Sequence, residues 1–523
     1  MEPRPLADSD VTVQTEPQPS AHSDATVLRE ALRTVTTFDA PSALGEDQLT
    51  ALLQSLPRLE ELTVRVPSFG TGRWLRLLPT SLRTLYVAGP EVTKPRWPGR
   101  YGSGLSVSLQ GVAADTISHL ATELGSRITL LDTDAQITTI PSQLRGAIIR
   151  VDPNTVILPA GVGESELTEL QSSRKTVKRL SVTAADLPRL RGQLPKGLRR
   201  LNVRGPEVTE PSWPGWDEDG VLSVSLLGVA ADTISHLADL GRTVTVLEIY
   251  DCPDLTAGSL EPLTRCRGLQ RLSVTAADLP LLRGQLPEGL SFLNVRGPEV
   301  TERRWPEWYG SDLSVSLQGV AADTIRHLTD LGRTVTQLEI YDCPDLTTGS
   351  LEPLTRFPKL ERLTLSGGVT DAVSLEPLTR YPGLWVLTLS GGVPDAVSLE
   401  PLTRCPKLLS LTLSGGVPDG VLDSLSGCPG LQTLTLGDLQ RPAETAFTAA
   451  AYTRLVKSCR KLWSLYLHCT ADTGRAVLTA LKEADLGRDS DGEPRTIYLW
   501  VPGELYRQLG SQGGDGVRVW EWC

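Results

Sequence analysis

Apolar and polar residues alternate in short runs, L-x-L or L-x-V, that return along almost the whole chain. The runs start near Leu62, Leu85, Leu105, Leu131, Leu180, Leu201, Leu222, Leu247, Leu272, Leu293, Leu313, Leu338, Leu363, Leu387, Leu411, Leu434, Leu465 and Ile497, with regular steps of 20 to 25 residues. Alternation with a period of two is the mark of a strand with one buried face. In Leu363-Thr364-Leu365 the leucines turn inward and Thr364 turns out. A second apolar pair in each period, such as Leu351 and Leu354 in SLEPLTR, closes the unit from the other side.

The period is also visible as near-verbatim duplication. LSVTAADLP at Leu180 returns at Leu272, LNVRGPEVTE at Leu201 returns at Leu293, GVAADTI at Gly228 returns at Gly319, and LEIYDCPDL at Leu247 returns at Leu338. By these starts one block holds four coils of 21, 21, 25 and 25 residues. Such a unit cannot bury its apolar face alone and must stack on its neighbours, which predicts an elongated solenoid. The crossover rule for parallel strands makes it right-handed.

Coil shape varies. SLEPLTR places Pro262, Pro353, Pro377 and Pro401 in the first turn of a short helix, where proline is tolerated. The coils carrying GPEVTxxxWP, at Gly89, Gly205 and Gly297, are expected to return through extended or 3₁₀ segments. Ala443 to Cys459 reads as a full helix.

The spacing and the L-x-x-L-x-L cores resemble leucine-rich repeat proteins over roughly residues 45 to 523. Leu247 to Val274 is similar to the cysteine-containing subclass known from F-box receptor subunits of ubiquitin ligases. The three LTLSGGV units that follow look like repeats common in kinetoplastid proteins and bacterial effectors. The resemblance implies an α/β leucine-rich repeat solenoid of about twenty coils, with a parallel sheet on the concave face and short helices, 3₁₀ or extended segments on the convex face. It also implies protein binding across the concave sheet. Twenty strands at about 4.8 Å give an inner arc of about 95 Å.

Domain boundaries follow from where the pattern weakens. Residues 1–24, rich in Pro, Ser, Asp and Thr, are expected to be a disordered tail. Residues 25–56 form a helical cap, a helix over 25–37, and the first coil; 57–523 form the solenoid. An irregular joint is expected near 132–179, where the period lapses although Ala147-Ile-Ile-Arg-Val suggests one more strand. A C-terminal cap near 497–523 ends in a closing strand with Trp520 and Trp522 against the last coil.

Composition narrows the function. Aromatics are only 5% of the 523 residues, so the core is built from Leu and Val. A net charge of -11 argues against nucleic acid. No run of about 18 apolar residues exists, the first residues are polar, and a membrane partner is not expected. Eight cysteines without a CxxC pair, and no N-x-S/T acceptor, favour a reduced, cytoplasmic protein.

Candidate chemistry reduces to packing. His119, His236 and His327 are copies of one position; His236 and His327 are four coils apart, about 19 Å, far beyond sharing an ion. Cys266, Cys405 and Cys428 hold the slot that Phe357 and Tyr381 hold in sister coils, a buried apolar one. Cys405 and Cys428, on adjacent coils, fall within disulfide range. The glycines stand in turns, not in phosphate-binding loops. No catalytic residue, cofactor or metal is expected. Trp97, Trp213 and Trp305 recur in register, with Trp216 and Trp308 beside two of them, and read as packing between coils.

The outward strand positions remain as the partner surface. Arg204 with Glu248 and Tyr250, and Arg296 with Glu339 and Tyr341, form two similar concave patches about 19 Å apart. Duplication alone could also have copied them. The expected function is a non-catalytic scaffold or recognition subunit. A ubiquitin-ligase substrate receptor and an effector delivered into a host cell, with residues 1–24 as its signal, are the alternatives.

Overall fold

The computed structural model describes residues 30–522 except 42–43, 66–70, 90, 93–103, 114, 136–139, 153, 162–176, 209–210, 215–219, 241–242, 301–304, 306–311, 332, 344, 368–373, 392–397, 418, 429, 443–444, 446–447, 489–493 and 515. The tail 1–24 therefore lies outside the described residues, as do Trp97, Trp216 and Trp308. The chain divides into two compact units, residues 1–160 and 161–523.

In the first unit β1 (Thr37–Ala40), β2 (Glu61–Arg65), β3 (Thr84–Ala88), β4 (Leu105–Gln110), β5 (Ile128–Thr133) and β6 (Ile148–Asp152) pair in chain order, all parallel. β7 (Thr155–Ile157) then turns back antiparallel on β6, a reversal that the apolar pattern does not foretell. The helical stretch at the N-terminal end covers Glu30–Leu32 of the described residues, and Thr37 already belongs to β1, so the helix expected over 25–37 is corrected there. The β-branched Val-Thr-Thr run at 35–37 favours strand and explains its end.

The described residues of the second unit form fifteen strands. They are β8 (Arg179–Thr183), β9 (Arg200–Arg204), β10 (Leu222–Leu227), β11 (Val244–Tyr250), β12 (Arg271–Thr275), β13 (Phe292–Arg296), β14 (Leu313–Gln318), β15 (Val335–Tyr341), β16 (Arg362–Ser366), β17 (Val386–Ser390), β18 (Ser410–Leu413), β19 (Thr433–Leu436), β20 (Ser464–Leu467), β21 (Ile497–Pro502) and β22 (Val517–Trp522). Each is parallel to the next. With one coil per strand and the return segments on one side, this is an α/β leucine-rich repeat solenoid.

The register corrects four coil starts. Leu85 pairs with Val107, Leu201 with Val224, Leu293 with Val315 and Leu465 with Leu499, so Leu105, Leu222, Leu313 and Ile497 stand two residues early. Three of these strands read L-S-V-S-L, apolar at three alternate positions, and a shift of two keeps every side chain on its own face. The pattern therefore could not choose between the two registers. The first copy of the duplicated block has steps of 21, 23, 23 and 25 residues, from Leu180 through Leu201, Val224 and Leu247 to Leu272.

Inward columns of Leu, Val and Ile are sealed; Leu201, Val203, Val224, Leu247, Leu272 and Leu363 are at most 1% exposed. The helix side is built as the sequence predicts. Glu261–Arg265, Glu352–Arg356, Glu376–Arg380 and Glu400–Arg404 are 3₁₀ turns with proline at their start. Beyond β18 the returns lengthen into Asp419–Leu425, Ala449–Ser458 and Ala471–Glu483 α-helices. The helix read over 443–459 starts at Ala449, where Thr448 accepts a hydrogen bond from the Ala451 amide and caps it.

Each of several strands ends on a left-handed residue. Gly228, Gly319 and Gly367 take φ of 61°, 56° and 71°, and Asp251 and Asp342 take the same role at 50° and 54°. The GPEV glycines are required for a different reason: a Cβ on Gly205 or Gly297 would run into the backbone carbonyl of Gly228 or Gly319 on the next coil.

Candidate functional site

Strand alternation turns three rows of side chains toward the outer face of the sheet, and the rows change character along the second unit. From β8 to β15 the middle row, Ser181, Asn202, Ser225, Glu248, Ser273, Asn294, Ser316 and Glu339, is at most 7% exposed. From β16 to β19 the same row, Thr364, Thr388, Thr412 and Thr435, is half-buried, with solvent reaching every residue.

The chain covers part of its own sheet. The Asn202 amide donates to the carbonyl of Ser212, 2.6 Å, so the segment after β9 folds back across the strand. Trp305, from the corresponding segment after β13, lies 5.8 Å from the Arg271 guanidinium, which also sits 4.3 Å over the Phe292 ring. Trp305, carried by the coil of β13, thus packs on the outer face against Arg271 of the neighbouring coil.

Among the six residues singled out in the sequence, Arg296 meets Tyr250 and Tyr341 meets Glu339. The Arg296 guanidinium stacks 3.7 Å over the Tyr250 ring, joining what the spacing presents as two separate patches. The Tyr250 hydroxyl donates to Ser273 at 2.9 Å, and the Tyr341 hydroxyl donates to Glu339 at 3.2 Å. Arg204, Glu248, Tyr250 and Glu339 are buried, and Arg296 and Tyr341 are half-buried at the margin. Outward geometry and solvent exposure are separate properties, and only the first is written in the alternation.

At the far end of the same face stands an aromatic cluster, of which sequence reasoning named only Trp520 and Trp522, as packing against the last coil. Tyr466, Trp500 and Trp520 occupy one row in register across β20, β21 and β22. Tyr466 stacks on Trp500 with centroids 5.6 Å apart, and Trp500 lies 5.8 Å from Trp520. Trp522 meets Tyr466 edge-on at 5.9 Å and His468 at 4.8 Å, while Trp463 meets Tyr498 edge-on at 6.0 Å. Trp463, Trp520 and Trp522 are 47%, 46% and 40% exposed, and with Leu439 they are the large apolar residues most open to solvent among the described residues. Trp520 and Trp522 therefore do not press inward as a cap; Val517 and Val519 do. The period of two in V-R-V-W-E-W carried that signal.

His468 is buried beneath Trp522, with no partner for Nδ1. Burial holds its imidazole below the ordinary value, partly countered by the Asp438 carboxylate. The unfolded chain then binds the proton more tightly, so stability is full above about pH 6.5 and falls as the pH drops below it. Thermal melts at pH 7.5 and 5.5 should show a larger loss in the native chain than in His468→Phe; equal losses would contradict this.

The slot shared by Phe357, Tyr381, Cys405 and Cys428 is buried, and Cys266 in the same slot is half-buried. Burial pushes the Cys405 thiol up to about 11 and that of Cys428 up to about 12, which leaves no thiolate for chemistry at neutral pH. The seven described cysteines are free thiols, so Cys405 and Cys428 are not bridged. Among the described residues no group of three or more His, Cys, Asp or Glu side chains is arranged to hold a metal, and no helix is long and apolar enough to cross a membrane.

No family model and no curated protein matches this chain. Among solved structures it is similar to the complex of Rad7 and Elc1 from yeast, at 16% identity over 68% of this chain and 86% of that one, with a TM-score of 0.31. A leucine-rich repeat protein of Leptospira interrogans is similar at 14% identity over 84% of this chain and 97% of that one, with a TM-score of 0.29. At these scores the likeness adds nothing to what register and coil construction establish. By its own sheet, the chain has the α/β leucine-rich repeat fold.

Proposed function

We propose that this protein is a non-catalytic scaffold or recognition subunit that binds a protein partner across the outer face of its sheet. The observation that carries the reading is the exposed aromatic cluster of β20 to β22, continuous with the open threonine row of β16 to β19. Contiguous exposed apolar surface with tryptophan at its centre is the composition of an interface core, and hydroxyl rows supply a polar surround. The half-buried Arg296, stacked on Tyr250, and Tyr341, bonded to Glu339, belong to the same face, with Arg204 and Glu248 buried in it. The free thiols fit a reducing compartment such as the cytoplasm.

Affinity purification with mass spectrometry tests this. A Trp520→Ala/Trp522→Ala chain should lose the partner that the native chain captures, Arg296→Ala/Tyr341→Ala should weaken it, and Arg326→Ala on the helix side should leave it unchanged. Unchanged capture by both face variants would overturn the reading.

A further inference from the structure

The aromatic end of the face opens on one side into a cleft of about 400 Å³, within the roughly 300–1,000 Å³ of ligand sites. Its apolar walls come from Leu439, Pro502 and Leu505, and its polar groups from His468, Glu504 and Gln508. Trp522 flanks it, edge-on to His468 at 4.8 Å and paired in register with Pro502. The Glu521 carboxylate rests against Gly503 on the same rim. Asp438 faces Arg441 at 3.8 Å and Asp472 faces Arg475 at 3.3 Å. Glu504 and Glu521 are exposed and have no ion-pair partner among the described residues, Arg507 on the same helix as Glu504 included. The basic Arg460, Lys461 and Arg518 stand at the other end of the strands, Arg518 four residues and about 13 Å from Trp522.

We infer that this cleft takes a lysine side chain from a segment of the partner protein, its stem against Leu439 and Pro502 and its ammonium among Glu504, Glu521 and the Trp522 ring. The inference rests on the reading of this face as a binding surface. Charge and hydrogen bonding both select the cation. Two unpaired carboxylates repel an anion, and the helix N-termini at Ala471 and Gly503, which would attract one, already carry Asp472 and Glu504 in their first turns. His468 is 4% exposed and lines the cleft, yet its Nδ1 has no partner. A neutral imidazole can accept a hydrogen bond, which an ammonium gives and a carboxylate does not. Tryptophan is the strongest ring partner for a cation, and lysine lays its stem on apolar surface while its head reaches charge.

The test uses the full isotope-labelled chain and three peptides, acetyl-Gly-Lys-Gly-amide and its counterparts with norleucine or glutamate in place of lysine. The indole N–H signal of Trp522, assigned with Trp522→Phe, should move with the lysine peptide at millimolar concentration. The norleucine and glutamate peptides should bind at least about fivefold more weakly, and Glu504→Gln/Glu521→Gln should weaken the lysine peptide as much, with an unchanged denaturant midpoint. Equal binding of the norleucine peptide would make the cleft an apolar slot and overturn the inference, as would tighter binding of the glutamate peptide or indifference to the glutamine pair. If no peptide moves the signal while Trp520→Ala/Trp522→Ala still loses the captured partner, the lysine inference fails and the proposed function stands.

Discussion

Arg495→Ala should destabilise the C-terminal coils by about 3–5 kcal/mol, the largest effect expected of any single side chain outside the leucine columns. Arg495 is 4% exposed, and its guanidinium is spent on backbone carbonyls. It donates to Val456 at 2.7 Å, to Cys459 at 2.7 Å, and to Leu462 from both Nε, at 3.1 Å, and Nη2. Val456 and Cys459 lie at the C-terminal end of the Ala449–Ser458 helix, where carbonyls lack intrahelical donors and the dipole favours a cation. Removing the fork takes the donors from the Val456 and Leu462 carbonyls and one of two from Cys459, which also accepts from the Leu462 amide, and lysine, with a point charge and no fixed fork, should recover little. Because repeats contact only their neighbours, the loss should appear as faster hydrogen exchange in residues 449–522, with β8 to β12 unaffected. Exchange rising evenly along the chain would contradict this.

Gly297→Ala should cost about 3 kcal/mol. Its missing Cβ makes room for the Gly319 carbonyl, and backbone, unlike the end of a flexible side chain, cannot swing aside. Gly205 and Gly89 face Gly228 and Gly111 in the same way and should behave alike. Gly258→Ala is the control: a Cβ there meets nothing within 4 Å, and its effect should stay within about 0.5 kcal/mol. Denaturant midpoints at constant slope would measure both changes. Equal midpoints for Gly297→Ala and Gly258→Ala would show that the coils separate without cost.

The solenoid is legible in the sequence because a period of two and a coil length leave few ways to bury leucine. Leu363, Leu387, Leu411 and Leu434 pair in direct register as their spacing implies. Where three alternate apolar residues occur in one strand, as in Leu222-Ser-Val-Ser-Leu, the same pattern fits two registers, and only the neighbouring strand decides. The antiparallel β7 escapes notice because three residues are too few for a period.

The site is less legible, for two opposite reasons. Glu248 points outward yet has no exposed surface, in a row that the segment after β9 folds across at Asn202. Alternation reports the side of the sheet and says nothing of what covers it. Trp520 and Trp522 also point outward and stay open, although bulk and apolarity alone assign them to a core. In their case the alternation with Val517 and Val519 outweighs residue type.

The central claim is that the open aromatic end of the outer face holds the partner. Titration of the captured partner into native chain and Trp520→Ala/Trp522→Ala, with Arg326→Ala as the helix-side control, tests it most directly. Loss of about 100-fold in affinity with the tryptophan pair, and less than about threefold with Arg326→Ala, is the predicted result. Equal affinities for native chain and tryptophan variant, with Arg326→Ala the weaker binder, would place the partner on the helix side and contradict the account.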